Sequence, residues 1–238
     1  QAAWEKAKQE TDMGQKIRPY GFRVGVTKPW RSTWYAGKKD FGTFVVEDSK
    51  IRKHIAKNYR YAAIPAVEIE RKADNKVTLI IHSAKPGMLI SKKTNRLSDL
   101  EKEVSLLTNG KTVDVRVKEV MKPETDAQLA AERIAEQLER RGSYKRAVKR
   151  EIDMIKGAGA EGCKVQVSGR LGGAELSRIE KQVWGSVPLN TLDADVDWGF
   201  AQAFTTFGVL GVKVWIYKGM LKETEEAKFG LEAGKQQA

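Results

Sequence analysis

Gly157-Ala158-Gly159-Ala160-Glu161-Gly162 has the G-x-G-x-x-G spacing by which a glycine-rich turn cradles a dinucleotide pyrophosphate. That chemistry needs a strand before the glycines and a helix after them, so that the phosphates meet a helix N-terminus. Here a helical period precedes and a strand alternation follows, so the glycines are expected to form an interdomain hinge and no cofactor is expected. Asp193, Asp195 and Asp197 alternate along a strand, which suggests a cation site. A calcium loop, however, needs Gly at its sixth position and Glu at its twelfth, where Trp198 and Phe204 stand. The three carboxylates are therefore expected in ion pairs with neighbouring strands or as a helix partner. Cys163 is the only cysteine and the chain has two histidines, His54 and His82. No zinc set can assemble from these, and Cys163 reads as a buried, inert thiol. No nucleophile, metal site or cofactor loop remains, and an enzyme is not expected.

The other residues with chemistry to offer are cations. Lys145, Arg146, Lys149, Arg150 and Lys156 fall on one side of a helical wheel of ~100° per residue, with Asp153 the only acid among them. Tyr144, Ala147, Val148, Ile152, Met154 and Ile155 fill the opposite arc. Solvated helix faces usually mix signs, because like charges at i,i+4 repel by a few tenths of a kcal/mol each. A phosphate-binding face is the reading that follows. A second basic site, Ser91-Lys92-Lys93-Thr94, lies just before a helix start, where backbone N–H groups and two ammonium groups form a seat for a phosphate. The formal net charge is +12. Residues 1 to 156 carry 34 Lys and Arg against 21 Asp and Glu, whereas residues 157 to 221 carry 6 of each and residues 222 to 238 carry 3 against 4. Positive charge concentrated in one part of a chain is the pattern of a nucleic-acid footprint.

The elements that must position these cations follow from periodicity. Residues 14 to 39 are basic and aromatic, punctuated by Pro19, Gly21, Gly25 and Pro29, and read as an extended arm that needs a partner to be ordered. Phe44, Ile51 and Ile55 share a helical face. Val67-Glu68-Ile69-Glu70 and Val77-Thr78-Leu79 alternate on either side of Asp74-Asn75, a hairpin. After the apolar turn Met88-Leu89-Ile90 and the basic loop, Leu97, Leu100, Val104 and Leu107 predict a helix stopped at Asn109-Gly110, and Val113, Val115 and Val117 a third strand. A helix is expected to open on a Thr125/Gln128 capping box and to bury Ala127, Ala131, Ile134 and Leu138. Gly142 separates it from the basic helix. Past Gly157-Ala158-Gly159 the composition turns strand-rich and neutral, and a domain boundary is expected there. Strands are expected at residues 163 to 167, 182 to 189, 191 to 207 and 212 to 216, with a short helix after the turn Arg170-Leu171-Gly172-Gly173.

The order helix, strand, strand, short helix, loop, helix, strand is that of the type-two KH fold, whose loop between helices clamps single-stranded RNA. At this point the residues resemble a known family, the universal small-subunit ribosomal protein S-three family in its bacterial form. Gly14-Gln15-Lys16 with Arg18-Pro19 and Gly21 resembles its start, and Trp30-Arg31-Ser32-Thr33-Trp34-Tyr35 its aromatic arm. Lys85-Pro86-Gly87 resembles the approach to its KH loop, Gln137-Leu138-Glu139-Arg140-Arg141 its linking helix, and VQVSGRLGGAE over residues 165 to 175 a specific C-terminal signature, as do residues 208 to 218. The likeness covers nearly everything from Met13 to Gly219.

The fold class expected is α+β, a type-two KH domain followed by linking helices and a second small α/β domain. Residues 1 to 40 are an N-terminal extension and basic arm, 41 to 120 the KH domain, 121 to 156 the linking helices, 157 to 221 the C-terminal α/β domain and 222 to 238 a disordered tail. The resemblance implies a place in the head of the small subunit on small-subunit ribosomal RNA, beside proteins ten and fourteen and facing the channel where messenger RNA enters. It implies that Lys145, Arg146 and Lys149 touch incoming messenger and help unwind it. With them, Arg150, the loop Ser91, Lys92, Lys93 and Thr94, and Gln15, Lys16, Arg18, Lys85, Gly87, Arg140, Arg141, Arg170 and Gly172 are expected to bind RNA. The family's KH loop is usually Gly-Lys-Lys-Gly. Ser91 and Thr94 remove backbone freedom that close approach to a strand uses and leave Lys92 and Lys93 for phosphates. Asp193 stands where an arginine is common, the tail lacks a basic extension, and residues 1 to 12 precede the family's usual start. The alternative reading is a free-standing KH RNA chaperone or regulator. No apolar run approaches the ~18 residues that would span a bilayer, residues 1 to 12 do not read as a secretory signal, and a reducing interior, cytoplasmic or organellar, is expected.

Overall fold

The computed structural model describes residues 16 to 73, 76 to 90, 96 to 108 and 110 to 221. The hairpin turn Asp74-Asn75, the basic loop at residues 91 to 94, Asn109, Gln15 and the C-terminal tail lie outside the described residues.

Two sheets organise the chain. In the first the strands run in the order β1 (Ser32–Thr33), β2 (Ala66–Ala73), β3 (Lys76–Ser83) and β4 (Thr112–Glu119). Strands β2 and β3 are antiparallel, as the alternation predicts, and β4 returns parallel to β3, in register from Lys76↔Thr112 to Ser83↔Glu119. A parallel return requires a crossover, which here is the 3-10 turn Pro86–Met88 followed by the helix Arg96–Leu107. With α1 the short Pro19–Arg23 and α2 the long Phe41–Asn58, this crossover helix is α3. Ile51 and Ile55 of α2 meet Ile69, Leu79 and Ile81 of the sheet and Leu100 and Val104 of α3, all essentially unexposed. Each such side chain contributes about 1.5–3 kcal/mol by leaving water. Helix, hairpin, turn, helix and parallel strand is the order expected for a type-two KH domain.

The second sheet is antiparallel, in the order β6 (Arg178–Gly185), β5 (Gly162–Gly169), β8 (Gly208–Met220) and β7 (Ala194–Thr205). On one face lie α4 (Ala127–Glu139) and α5 (Tyr144–Gly157), and one core joins Ala131, Ile134, Val148 and Ile155 to Val165, Val167, Val212 and Val214. The two helices expected to link the domains therefore form a layer of the second core. The change of composition at residue 157 falls at the turn from α5 into β5, not between cores: Gly157 ends α5 and Gly159 takes φ +88 in the turn. The alanines of α4 let it sit close on the sheet. At Gly199 of β7 an added Cβ would lie 2.1 Å from the Ala127 carbonyl oxygen.

Three local expectations give way. The cap of α4 is Asp126, whose carboxylate accepts from the backbone N–H of Gln128 and Leu129, and Thr125 belongs to a preceding 3-10 turn. The Gln128 side chain instead bonds Phe200, donating to its carbonyl at 3.1 Å and accepting from its N–H at 3.1 Å. After residue 170 a 3-10 turn, Leu171–Gly173, stands where a short helix was expected, and the following strand begins at Arg178 rather than at residue 182. The arm, expected to need an outside partner, finds one within the chain. Arg23 is wholly buried and donates to the carbonyls of Ala194 (2.8 Å) and Thr191 (2.7 Å). Burial lowers its pKa, and neighbouring Asp195 opposes that shift.

Candidate nucleic-acid interface

Helix α5 is amphipathic along its length. Ala147, Val148 and Ile155 are buried against the second sheet's core, with Tyr144 and Ile152 packed beside them. Lys145, Arg146, Lys149 and Arg150 are exposed on the opposite side, and none has an ion-pair partner among the described residues. Arg146, Lys149, Arg150, Asp153 and Met154 line a shallow groove along the helix. Glu151 would temper this charge if it faced outward. Instead it is fully buried and accepts from Arg133 Nε of α4 at 3.0 Å. Burial raises its pKa, against the pull of Arg133. The fold thus withdraws one acid of α5 inward and leaves neighbouring cations at i,i+3 and i,i+4, each pair repelling by a few tenths of a kcal/mol. A polyanion laid along the groove would relieve that repulsion. Lys156, at the end of the same face, sits over the Trp184 ring at 5.6 Å.

The other expected residues are dispersed. Lys85 and Gly87 are exposed at the 3-10 turn before the basic loop in the KH unit. Arg96, at the start of α3, donates to the Met88 carbonyl at 3.2 Å and lies over Tyr61 at 5.0 Å, tying α3 to the 3-10 turn. Ser91, Lys92, Lys93, Thr94 and Gln15 lie outside the described residues. Lys16 and Arg18 are exposed, and Arg18 stacks over Trp198 at 4.8 Å. Arg140 pairs with Glu136 at 2.5 Å, one turn back on α4, and Arg141 is exposed with φ +60 in the turn to α5. Arg170 is engaged internally, donating to the carbonyls of Ala174 (2.8 Å) and Phe207 (3.3 Å), so it braces a loop. Gly172 takes φ +65 in that loop, a left-handed conformation that glycine adopts without strain. The acidic strand serves as structure: Asp197 accepts from the N–H of Ala127 at the start of α4 (3.1 Å), and Asp195 pairs with Lys28 of the arm (2.6 Å).

Comparison with known proteins bears on this geometry. Residues 50 to 125 match the family model described as "KH domain", and residues 134 to 216 match "Ribosomal protein S3, C-terminal domain". A protein named "Small ribosomal subunit protein uS3" from Dictyoglomus turgidum is 54% identical over 211 residues, covering 89% of this chain and 86% of its own length. The chain belongs to the uS3 family. Relatives of the same name from Alkaliphilus oremlandii and Persephonella marina are 51% and 52% identical, over 90% and 87% of this chain and 89% and 91% of their own lengths. As a uS3 family member the chain is a structural ribosomal component with an RNA-binding KH module, not an enzyme.

In this uS3 chain the sequence reading passed over the polar network that anchors the aromatic arm. Arg71 donates to Glu47 (2.8 Å) and Asp48 (2.6 Å), Lys111 to Glu47 (2.9 Å), and Trp34 Nε1 to Asp48 (2.9 Å). Burial alone would raise the Glu47 pKa, but Lys111 and Arg71 outweigh it and hold the carboxyl below its ordinary value. Arg52 reaches from α2 to the carbonyls of Arg31 and Val67, pinning β1 to the sheet. The signal was present in spacing: Asp48 lies four residues after Phe44 and three before Ile51, on the buried side of α2.

Proposed function

We propose that this protein is a constituent of the small ribosomal subunit that binds its ribosomal RNA, and that the α5 face guides messenger RNA and helps separate its strands where it enters the subunit. The observation that carries this reading is the exposed set Lys145, Arg146, Lys149 and Arg150, unpaired among the described residues while Glu151 turns inward to Arg133. Cations on a rigid helix hold phosphates without reading bases, which suits a strand whose sequence changes at every step. No bond is made or broken at this face. The translating ribosome pulls the strand, and the cations favour the opened form by holding its phosphates. The KH unit and the C-terminal unit fix α5 against ribosomal RNA, beside head proteins such as ten and fourteen, in ribosomes of the cytoplasm.

The test is a ribosome carrying Lys145→Ala, Arg146→Ala and Lys149→Ala together. These side chains are exposed, so the protein should fold and assemble. Translation through a stable hairpin should slow several-fold relative to an unstructured messenger of the same length. Equal slowing on both messengers would contradict the proposal.

A further inference from the structure

The second sheet has two faces, and α4 and α5 use only one; on the other, Val187 and Leu189 cover Tyr217 and Val196 at one end. Elsewhere on that face, cross-strand register sets two rows of side chains side by side. One row runs Val183, Lys164, Trp215, Trp198 from β6 to β7; the next runs Lys181, Gln166, Lys213, Phe200. Trp198 and Phe200 stack with ring centroids 6.3 Å apart and planes 6° from parallel, and Lys164 Nζ sits over Trp215 at 5.3 Å. Arg18 of the arm adds a guanidinium over Trp198.

No acid stands in either row. Lys164, Lys181 and Lys213 have no ion-pair partner among the described residues, and burial together with Lys16 and Lys181 lowers the pKa of Lys164. Uncompensated lysines interleaved with aromatic rings on an open sheet suit one kind of ligand. Cations take the phosphates of an unpaired nucleic-acid strand, and rings take its bases by stacking. An acidic protein surface would use the lysines but leave the aligned rings without a role.

The geometry points to a second RNA site, separate from α5: the open face of the C-terminal sheet binds an unpaired RNA segment, stacking bases on Trp215, Trp198 and Phe200 with its phosphates on Lys164, Lys181 and Lys213. Edge strand β6 extends this platform, with Ile179 and Val183 exposed on the same side.

The test uses the full-length chain bearing the α5 triple-alanine substitution, so that loss at one site cannot be mistaken for loss at the other. Binding of labelled 12-nucleotide oligo(U) and oligo(A), a 12-base-pair RNA duplex and an oligo-glutamate peptide is followed by fluorescence anisotropy across a salt series. Trp215→Leu should weaken both single strands about fivefold or more, the scale of one base–ring stack. It should leave the duplex unchanged, and Trp215→Phe should keep most of the affinity. Lys164→Gln with Lys181→Gln and Lys213→Gln should flatten the log–log salt slope by about 2, at roughly 0.7 per phosphate on single strands. Circular dichroism melting confirms that each variant is folded, and the lysine set serves if Trp215→Leu is not. The site is refuted if slope and affinity stay at their starting values. It is equally refuted if the lysine set weakens the peptide as much as the RNA while Trp215→Leu changes neither, which would make the face a seat for an acidic protein.

Discussion

Arg23 donates to carbonyls of its own helix and of the segment leading into β7, at Pro19, Leu189, Thr191 and Ala194 among others. One guanidinium thereby ties the N-terminal arm to the C-terminal sheet, more than 160 residues away in sequence. Replacement by alanine would leave buried carbonyls without donors. With about 1.5–3 kcal/mol for a hydrogen bond to a charged group, and a similar penalty for unpaired partners, Arg23→Ala should cost roughly 2–4 kcal/mol of stability. Denaturant unfolding measures this. Arg23→Lys should recover only part of the loss, because an ammonium cannot span the same carbonyls; full recovery by lysine would show that charge alone suffices. Legibility at this scale depended on type. The α5 cations stood out because type and spacing agreed. Arg23, Glu47 and Asp48 did not, because a charged residue type argues for the surface, while their burial rests on partners far along the chain.

Helix α4 begins where two carboxylates converge. Asp126 caps it, and Asp197 of β7 accepts from Ala127 N–H. Burial, then the nearby Asp197, raises the Asp126 pKa. The approach depends on Gly199, where a Cβ would strike the Ala127 carbonyl and the Gln128 nitrogen, at 2.1 and 2.5 Å. Backbone atoms of a capped helix cannot yield as a side chain would. Gly199→Ala should therefore destabilise by at least the ~1–3 kcal/mol of an overpacked core, read as a lowered unfolding midpoint. An unchanged midpoint would mean that α4 can lift from the sheet at no cost. Element by element, the sequence was most readable where one face is buried: Ile51 and Ile55, Leu97 and Leu100, Val165 and Val167. It was least readable at β6, whose residues are nearly all exposed on both faces, so no hydrophobic period marks where the strand starts. Of the acidic strand, expected in ion pairs with neighbouring strands or as a helix partner, Asp197 does both, through Lys218 of β8 and the Ala127 N–H, while Asp195 pairs with Lys28 of the arm.

At the scale of the whole molecule, two large cores and a small one around Val196 and Tyr217 sit behind a surface whose excess charge is collected, not spread. The sequence placed that excess in residues 1 to 156, and the fold sorts it further. Arg23, Arg71 and Lys111 are spent on internal carbonyls and carboxylates, while the α5 set faces outward. Charge counting alone could not make that division, because it depends on which acids turn inward. The change of composition at residue 157 follows a related rule: composition marks where helices give way to strands, whereas a core is defined by what packs together, here residues 127 to 216. We proposed that α5 presents free cations to a moving RNA strand. A density map of the small subunit carrying this protein, halted on a messenger with a hairpin at its entrance, tests it most directly. Messenger phosphates should lie within hydrogen-bond reach of Lys145, Arg146 and Lys149 just beyond the hairpin's opened end. A map with these side chains against another protein's carboxylates, and messenger passing elsewhere, would contradict it.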